Sequence, residues 1–171
     1  NASPLVIKDA DALIKDKEIS WRISPEIRGS KTLKYGNESI SISVIGAREN
    51  YLSIQGYEVE QGRFFSDRDD LARKRVAIIG SSVGTELKTA SKALLGKDID
   101  LGGVTFEIIG VMKTEGSSGW SNPDEQIYIP LFTASDRVFG RERVDSIRVE
   151  VPNTYSPEEA MISIERVLRR E

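Results

Sequence analysis

Residues 74–112, KRVAIIGSSVGTELKTASKALLGKDIDLGGVTFEIIGVM, hold the reading that decides the fold. Residues 76–79 are a short continuous apolar run, mostly β-branched and closed by Gly80, which is the pattern of a buried strand. Ser81 or Ser82 then predicts the N-cap of a helix through Val83 and Leu87 and as far as Leu94. After Gly96, residues 98–101 and 104–112 are predicted as two strands. Gly102-Gly103 joins them, because a two-residue hairpin turn needs positive φ and glycine adopts it without steric cost. Strand, helix and hairpin in such quick succession predict an α+β chain with mixed sheets and short helices.

The same stretch contains a catalytic pattern. Gly80-Ser81-Ser82-Val83-Gly84 fits the G-x-S-x-G nucleophile elbow and sits between a predicted strand and helix, where an elbow belongs. A serine nucleophile of that kind needs an imidazole to take its proton, and the chain has 0 histidines. A Ser-Lys pair with Lys88 or Lys92 as base is the remaining catalytic form. The plain alternative is a helix cap. Gly84 is followed by Thr85-Glu86 rather than by lysine and a hydroxyl, so the phosphate-loop pattern is missing too.

Composition narrows the classes. At 171 residues, 39% hydrophobic and 30% charged, the chain is long enough for one packed core or for two small lobes sharing one. Its 24 basic and 27 acidic residues are mixed along the chain and leave a net charge of −3, which selects no nucleic acid. With 0 cysteines and no histidine there is neither a disulfide framework nor an ordinary zinc site. No apolar run approaches the roughly 18–20 residues of a membrane span. The chain opens at Asn1-Ala2-Ser3-Pro4 and stops inside a helical pattern at Arg169-Arg170-Glu171, so it reads as an excised domain.

Outward from the central stretch, residues 9–15 predict a short helix with an acidic opening and a basic close. Residues 19–27 form a strand ending near Ser24, or an edge strand containing Pro25. Trp21 is read as a core or edge anchor. Ile40, Ile42 and Val44 alternate with Ser39, Ser41 and Ser43, so residues 31–35 and 38–46 predict a hairpin about Gly36-Asn37, with one buried face and one hydroxyl-rich, solvated face. A short helix holding Tyr51, Leu52 and Ile54 follows, then a strand around 58–60. Phe64 and Phe65 are assigned to core.

Asp67, Asp69 and Asp70 invite a calcium reading, but the spacing fails the EF-hand pattern, and a solvated turn with a capping carboxylate is the simpler account. Residues 114–124, TEGSSGWSNPD, are a loop by composition. Trp120 in its middle is either tucked back onto its own domain or offered to a partner, which makes it the candidate partner contact. Residues 126–130 are predicted as a strand, 131–139 as a helix opening and 146–151 as a strand. Ser156-Pro157-Glu158-Glu159 is the strongest helix start in the chain, with Ala160, Ile164, Val167 and Leu168 as its buried stripe.

Taken in order, these signals resemble the extracytoplasmic core domain of MacB-like and FtsX-like ABC transporter permeases. The resemblance is carried by Ser24-Pro25, Gly46 with Tyr51, residues 61–67 (QGRFFSD), 76–80 (VAIIG), 96–99 (GKDI), 106–111 (FEIIGV), 127–131 (IYIPL) and the closing 167–170 (VLRR). A departure lies where Leu87-Lys88-Thr89 runs into residues 90–95, since relatives there carry Leu-Phe-Gly and Asp-Pro-Ile-Gly-Lys segments. The resemblance implies a single extracytoplasmic domain of an integral membrane protein, 1–171, in two lobes. One is a porter-like lobe from the chain ends, 1–47 plus 126–171, and the other a β-rich lobe, 48–125, inserted in it.

It further implies a module without catalysis or cofactor that passes ATP-driven motion to a substrate or partner. The implied partners are a second permease subunit in a homodimer or heterodimer, a cytoplasmic ATP-binding subunit and a periplasmic adaptor protein. Two other readings compete with it: a secreted serine hydrolase acting through Ser82, and a sensor that binds peptide or lipid directly.

Overall fold

A computed structural model of the chain describes residues 5–16, 23–116, 122–140, 144–149 and 157–169. Helix α1 (Ile7–Lys15) begins where the Asp9 carboxylate accepts the Val6 N–H at 3.1 Å and ends on Lys15, which pairs with Asp11 at 2.7 Å. Charges of that sign at those ends suit the helix dipole. Strand β1 (Ile23–Tyr35) is followed by β2 (Glu38–Ala47), α2 (Tyr51–Gln55), β3 (Val59–Gly62) and α3 (Asp67–Leu71). Next come β4 (Val76–Ile79), α4 (Val83–Glu86), a 3-10 turn (Ser91–Leu94), β5 (Asp98–Leu101) and β6 (Val104–Met112). The chain continues through β7 (Gln126–Pro130), then α5 (Leu131–Thr133) with a π-helical turn behind it (Ala134–Phe139), β8 (Ser146–Val149) and α6 (Pro157–Leu168).

Six strands close into a barrel in the order β2-β7-β4-β6-β5-β1, because β1 also pairs with β2. Closure removes the unpaired edges that an open sheet presents. The β1–β2 and β5–β6 pairs are local antiparallel hairpins, whereas β2–β7 and β4–β6 are parallel pairs between distant segments. Strand β3 extends the sheet beside the end of β6. Inside the barrel lie Leu33, Val44, Ile79, Leu101, Phe106, Ile108 and Ile127. Alternate residues of the same strands, Ile45, Ile78 and Tyr128, point outward and are covered by Tyr51, Phe65 and Met112. Both faces of β4 and β7 are therefore buried, which is why they read as unbroken apolar runs.

A third cluster is built by the chain ends. Leu13 of α1, Ile23 of β1 and Val167 of α6 pack together with Ala12, Ile147, Val149, Ile164 and Leu168. Arg166 lies 3.8 Å from Asp16, so the C-terminal turns of α1 and α6 meet. Strand β1 belongs to both structures. Residues Ile23 to Glu26 pair with β8, and Ile27 to Tyr35 pair with β2.

Several expectations are refined. The Pro25 segment is not a separate short strand but the start of a thirteen-residue one, with Pro25 opposite Ile147. The helix after Ser82 stops at Glu86, because Lys88 takes φ +60 and the chain turns into the separate 3-10 segment holding Leu94. Neither Ser81 nor Ser82 caps it through a side chain. The hairpin face of Ser39, Ser41 and Ser43 is exposed as expected. Trp21, Trp120, Ser156 and the end of the strand predicted over 146–151 lie outside the described residues.

Candidate functional site

At the G-x-S-x-G pattern, the strand-to-helix turn is present but the chemistry is not. Ser82 donates its backbone N–H to the Asp124 carbonyl at 2.9 Å, and among the described residues its hydroxyl has no lysine or carboxylate partner. Lys88 pairs instead with Glu38 at 3.5 Å. Ser81 accepts from the Thr114 hydroxyl at 2.9 Å. The hydroxyl that organises the turn is Ser91, which accepts from the Gly84 N–H at 2.8 Å and donates to the Ser81 carbonyl at 2.7 Å. Gly80 and Gly84 are required for close approach, since a Cβ at either would enter the backbone of Asp124 or of Ser91.

The three aspartates do not form a cation cage, because each faces a different group. Asp67 lies 3.6 Å from Arg48. Asp69 accepts from Arg63 at 2.8 Å and from the Ser66 N–H at 2.9 Å, closing a capping box with Ser66. Asp70 is 2% exposed and accepts the Phe132 N–H at 2.7 Å. The solvated turn expected here is thus a buried one for both Asp69 and Asp70. Among the described residues no group of three acidic side chains is placed to hold a metal ion.

The loop that carries Trp120 is held at its base by Asp124. One carboxylate oxygen accepts the Glu115 N–H at 2.8 Å and the other the Gly116 N–H at 2.9 Å. The neighbouring Tyr128 hydroxyl, buried, lies 3.0 Å from the Pro123 carbonyl and 3.1 Å from the Gln126 side-chain oxygen.

A dense polar arrangement lies where β1 changes partners. Glu26, 0% exposed, is the last residue of β1 paired to β8. Arg28 donates to Oε2 through Nε at 2.9 Å and lies 2.8 Å away through Nη2, while Arg148 of β8 donates to Oε1 at 2.9 Å. The Arg28 N–H donates to the Asp145 carboxylate at 2.7 Å, and the Asp145 N–H to the Glu26 carbonyl at 2.9 Å. At the other end of the paired segment the Ile23 carbonyl accepts from Arg48 at 3.2 Å and from Asn50 at 2.7 Å. Burial works against the Arg28 charge, but Glu26 outweighs it and holds the guanidinium above its usual range. Burial, reinforced by Glu26, likewise pushes the nearby Tyr51 hydroxyl far above an ordinary phenol.

This joint was not singled out from sequence. Its local signal is Glu26-x-Arg28, a charge pair at a spacing that shares one face of a strand.

The family described as MacB-like periplasmic core domain matches residues 1–167. A macrolide export ATP-binding/permease protein, MacB, of Bdellovibrio bacteriovorus is 32% identical over 164 residues, covering 96% of this chain and 24% of that protein. A pyoverdine export ATP-binding/permease protein, PvdT, of Pseudomonas entomophila is 29% identical over 167 residues, covering 97% and 26%. The chain therefore spans about a quarter of the length of these curated relatives. Among solved structures, the periplasmic region of MacB from Actinobacillus actinomycetemcomitans shares the fold with a TM-score of 0.80 at 24% identity, over 99% of this chain and 75% of that one. The extracellular domain of the noncanonic transporter YknZ from Gram-positive bacteria superposes with a TM-score of 0.76 at 25% identity, over 99% and 85%. Among the described residues no helix is long and apolar enough to cross a membrane.

Proposed function

The chain belongs to the family of MacB-like periplasmic core domains, and from that premise we propose that it works as a force-transmitting module of an exporter. As a member of that family it is a non-catalytic, extracytoplasmic domain of a MacB/FtsX-type ABC transporter permease. On the proposed reading, motion generated by a cytoplasmic ATP-binding subunit reaches α1 and α6 and passes through the domain to a substrate or partner outside the membrane. The permease acts as a homodimer or heterodimer, with a periplasmic adaptor where the host envelope has one.

One observation carries the reading: β1 runs unbroken from the two-stranded sheet under α1 and α6 into the barrel wall. A hydrogen-bonded strand is stiff along its axis, so a displacement of the chain-end helices moves the barrel instead of dissipating in a loop. The two lobes belong to the proposal. The division into 1–47 plus 126–171 and 48–125 is the one implied by the resemblance. The packing favours drawing the joint inside β1, between Glu26 and Ile27, since β7 pairs with β4 and β1 with β5 across that division within one barrel.

Trp120 is the proposed partner contact. Its own placement lies outside the described residues, and the support is the Asp124 clamp that fixes the base of its loop. Aromatic side chains on anchored loops are favoured where a partner is to be met with little ordering cost.

The test uses the complete transporter, with spin labels on exposed Glu159 of α6 and exposed Lys97 beside β5. The expected result is a Lys97-to-Lys97 distance between the two permease subunits that changes between the nucleotide-free and ATP-trapped states, while the Glu159–Lys97 distance within one subunit holds. An unchanged Lys97-to-Lys97 distance between subunits sinks the force-transmission reading.

A further inference from the structure

We propose that Glu26 is the positioning residue that stiffens the joint between the chain-end sheet and the barrel. The proposal rests on the force-transmitting reading for its purpose, but not for its geometry. A strand that leaves one pairing partner for another has no second strand lashing the changeover, and it is a natural place for a hinge. Here the changeover falls between Glu26 and Ile27, and it is crossed by side chains on each side. Arg28, already in the barrel half of β1, reaches back to the Glu26 carboxylate with two nitrogens, at 2.9 and 2.8 Å. Its backbone N–H is taken at 2.7 Å by Asp145, which leads into β8. From the chain-end side, Arg148 fixes the second carboxylate oxygen at 2.9 Å.

Both oxygens of one buried carboxylate are thus engaged by guanidinium groups from the two sides of the changeover, and the planar fork of arginine restricts rotation about β1 in a way a single point charge does not. Arg48 and Asn50 hold the far end of the same segment through the Ile23 carbonyl. With Glu26 replaced by glutamine, β1 keeps its backbone pairing and one acceptor oxygen but loses the charge and one of the two guanidinium ties, and the changeover becomes a hinge. The two labelled units then move more loosely against each other, still tethered by Arg48 and Asn50 on the Ile23 carbonyl and by Ile7 and Ile14 of α1 against the barrel core, and ATP-driven displacement at α6 no longer reaches the barrel in full.

The experiment compares Glu26→Gln with the parent in the complete transporter, using the Glu159 and Lys97 labels and the ATPase rate. The expected result is a nucleotide-free Glu159–Lys97 distribution within one subunit roughly twofold broader, a reduced ATP-driven shift between the Lys97 positions of the two subunits and an ATPase rate within about twofold of the parent. Asp69→Asn is the matched control. It removes another buried carboxylate with an arginine partner, but one lying wholly within the barrel unit, so it lowers stability without changing the distribution width. If Glu26→Gln does not fold, Arg28→Lys replaces the fork with a point charge at a part-exposed position and is expected to give an intermediate width. Parent-like widths in the folded variant, or equal broadening by Asp69→Asn, overturn the proposal. Failure of the parent to move on ATP binding would defeat the force-transmission reading alone, because the nucleotide-free width is measured without it.

Discussion

Asp69 and Asp70 are adjacent in the chain and their carboxyl groups are shifted in opposite directions. Burial tends to raise Asp69, but the Arg63 guanidinium and the Ser66 N–H outweigh it and hold the group at about 2. Asp70, with the Phe132 N–H as its hydrogen-bond donor and more distant arginines only partly compensating, is pushed up by burial to about 7. Because the folded value of Asp70 lies above the ordinary 3.8, the stability it contributes is complete below about pH 3.8 and is lost as pH rises through about 7. The span corresponds to on the order of 4 kcal/mol at most. Urea unfolding of the 171-residue chain between pH 4 and pH 8.5 should show stability falling over that window, and Asp70→Asn should flatten the fall. Equal slopes for parent and variant would show that Asp70 does not carry the effect.

Asp69 has the opposite sign. Its folded value lies below 3.8, so its contribution is present above about pH 3.8 and is lost as pH falls through about 2. Asp69→Asn should cost roughly 2 kcal/mol at pH 7, lowered from larger pairwise figures because Arg63 is half exposed. The penalty should shrink toward zero near pH 2. A penalty that is independent of pH would mean that shape rather than charge is what the site requires.

The contrast marks how far the sequence could be read. The β1–β2 hairpin and the Gly102-Gly103 turn were legible because their signals, alternation and positive φ, lie within a few residues. The closed barrel was not, since the parallel β2–β7 and β4–β6 pairs leave no local trace beyond apolar runs. The burial of Asp70 depends on Phe132, 62 positions away, and the Glu26 joint on Arg148, 122 positions away. An aspartate-rich turn and a lone strand glutamate look solvated until those partners arrive. The family resemblance was legible because it rests on the order of many weak local signals, none of which requires a tertiary contact to be seen.

The serine-rich turn after β4 separates a structural hydroxyl from a decorative one. Ser91 satisfies the Gly84 N–H and the Ser81 carbonyl together, so Ser91→Ala leaves both without that partner and should cost about 1–3 kcal/mol. Ser82→Ala removes a hydroxyl without such partners and should stay within about 0.5 kcal/mol of the parent. Neither change should alter labelling by a fluorophosphonate probe, which is expected to be absent throughout. Labelling that Ser82→Ala abolishes would revive the hydrolase reading.

Asp124 offers the most direct handle on the Trp120 loop. Its two carboxylate oxygens each take one backbone N–H, from Glu115 and Gly116, and asparagine keeps only one acceptor while turning an N–H₂ donor toward the other N–H. Asp124→Asn should therefore release one of the two amides, at a cost of about 1–3 kcal/mol. Since every 1.4 kcal/mol is about tenfold in an opening equilibrium, hydrogen exchange at Glu115 or Gly116 should accelerate about 5- to 140-fold. Exchange in the Ile78 and Ile127 strands should change only as far as global stability does. If the loop presents Trp120 to a partner, Asp124→Asn and Trp120→Ala should weaken capture of the same partner, the first by raising the ordering cost and the second by removing the contact. Faster exchange with undiminished capture would instead leave the clamp a purely structural feature of the barrel rim.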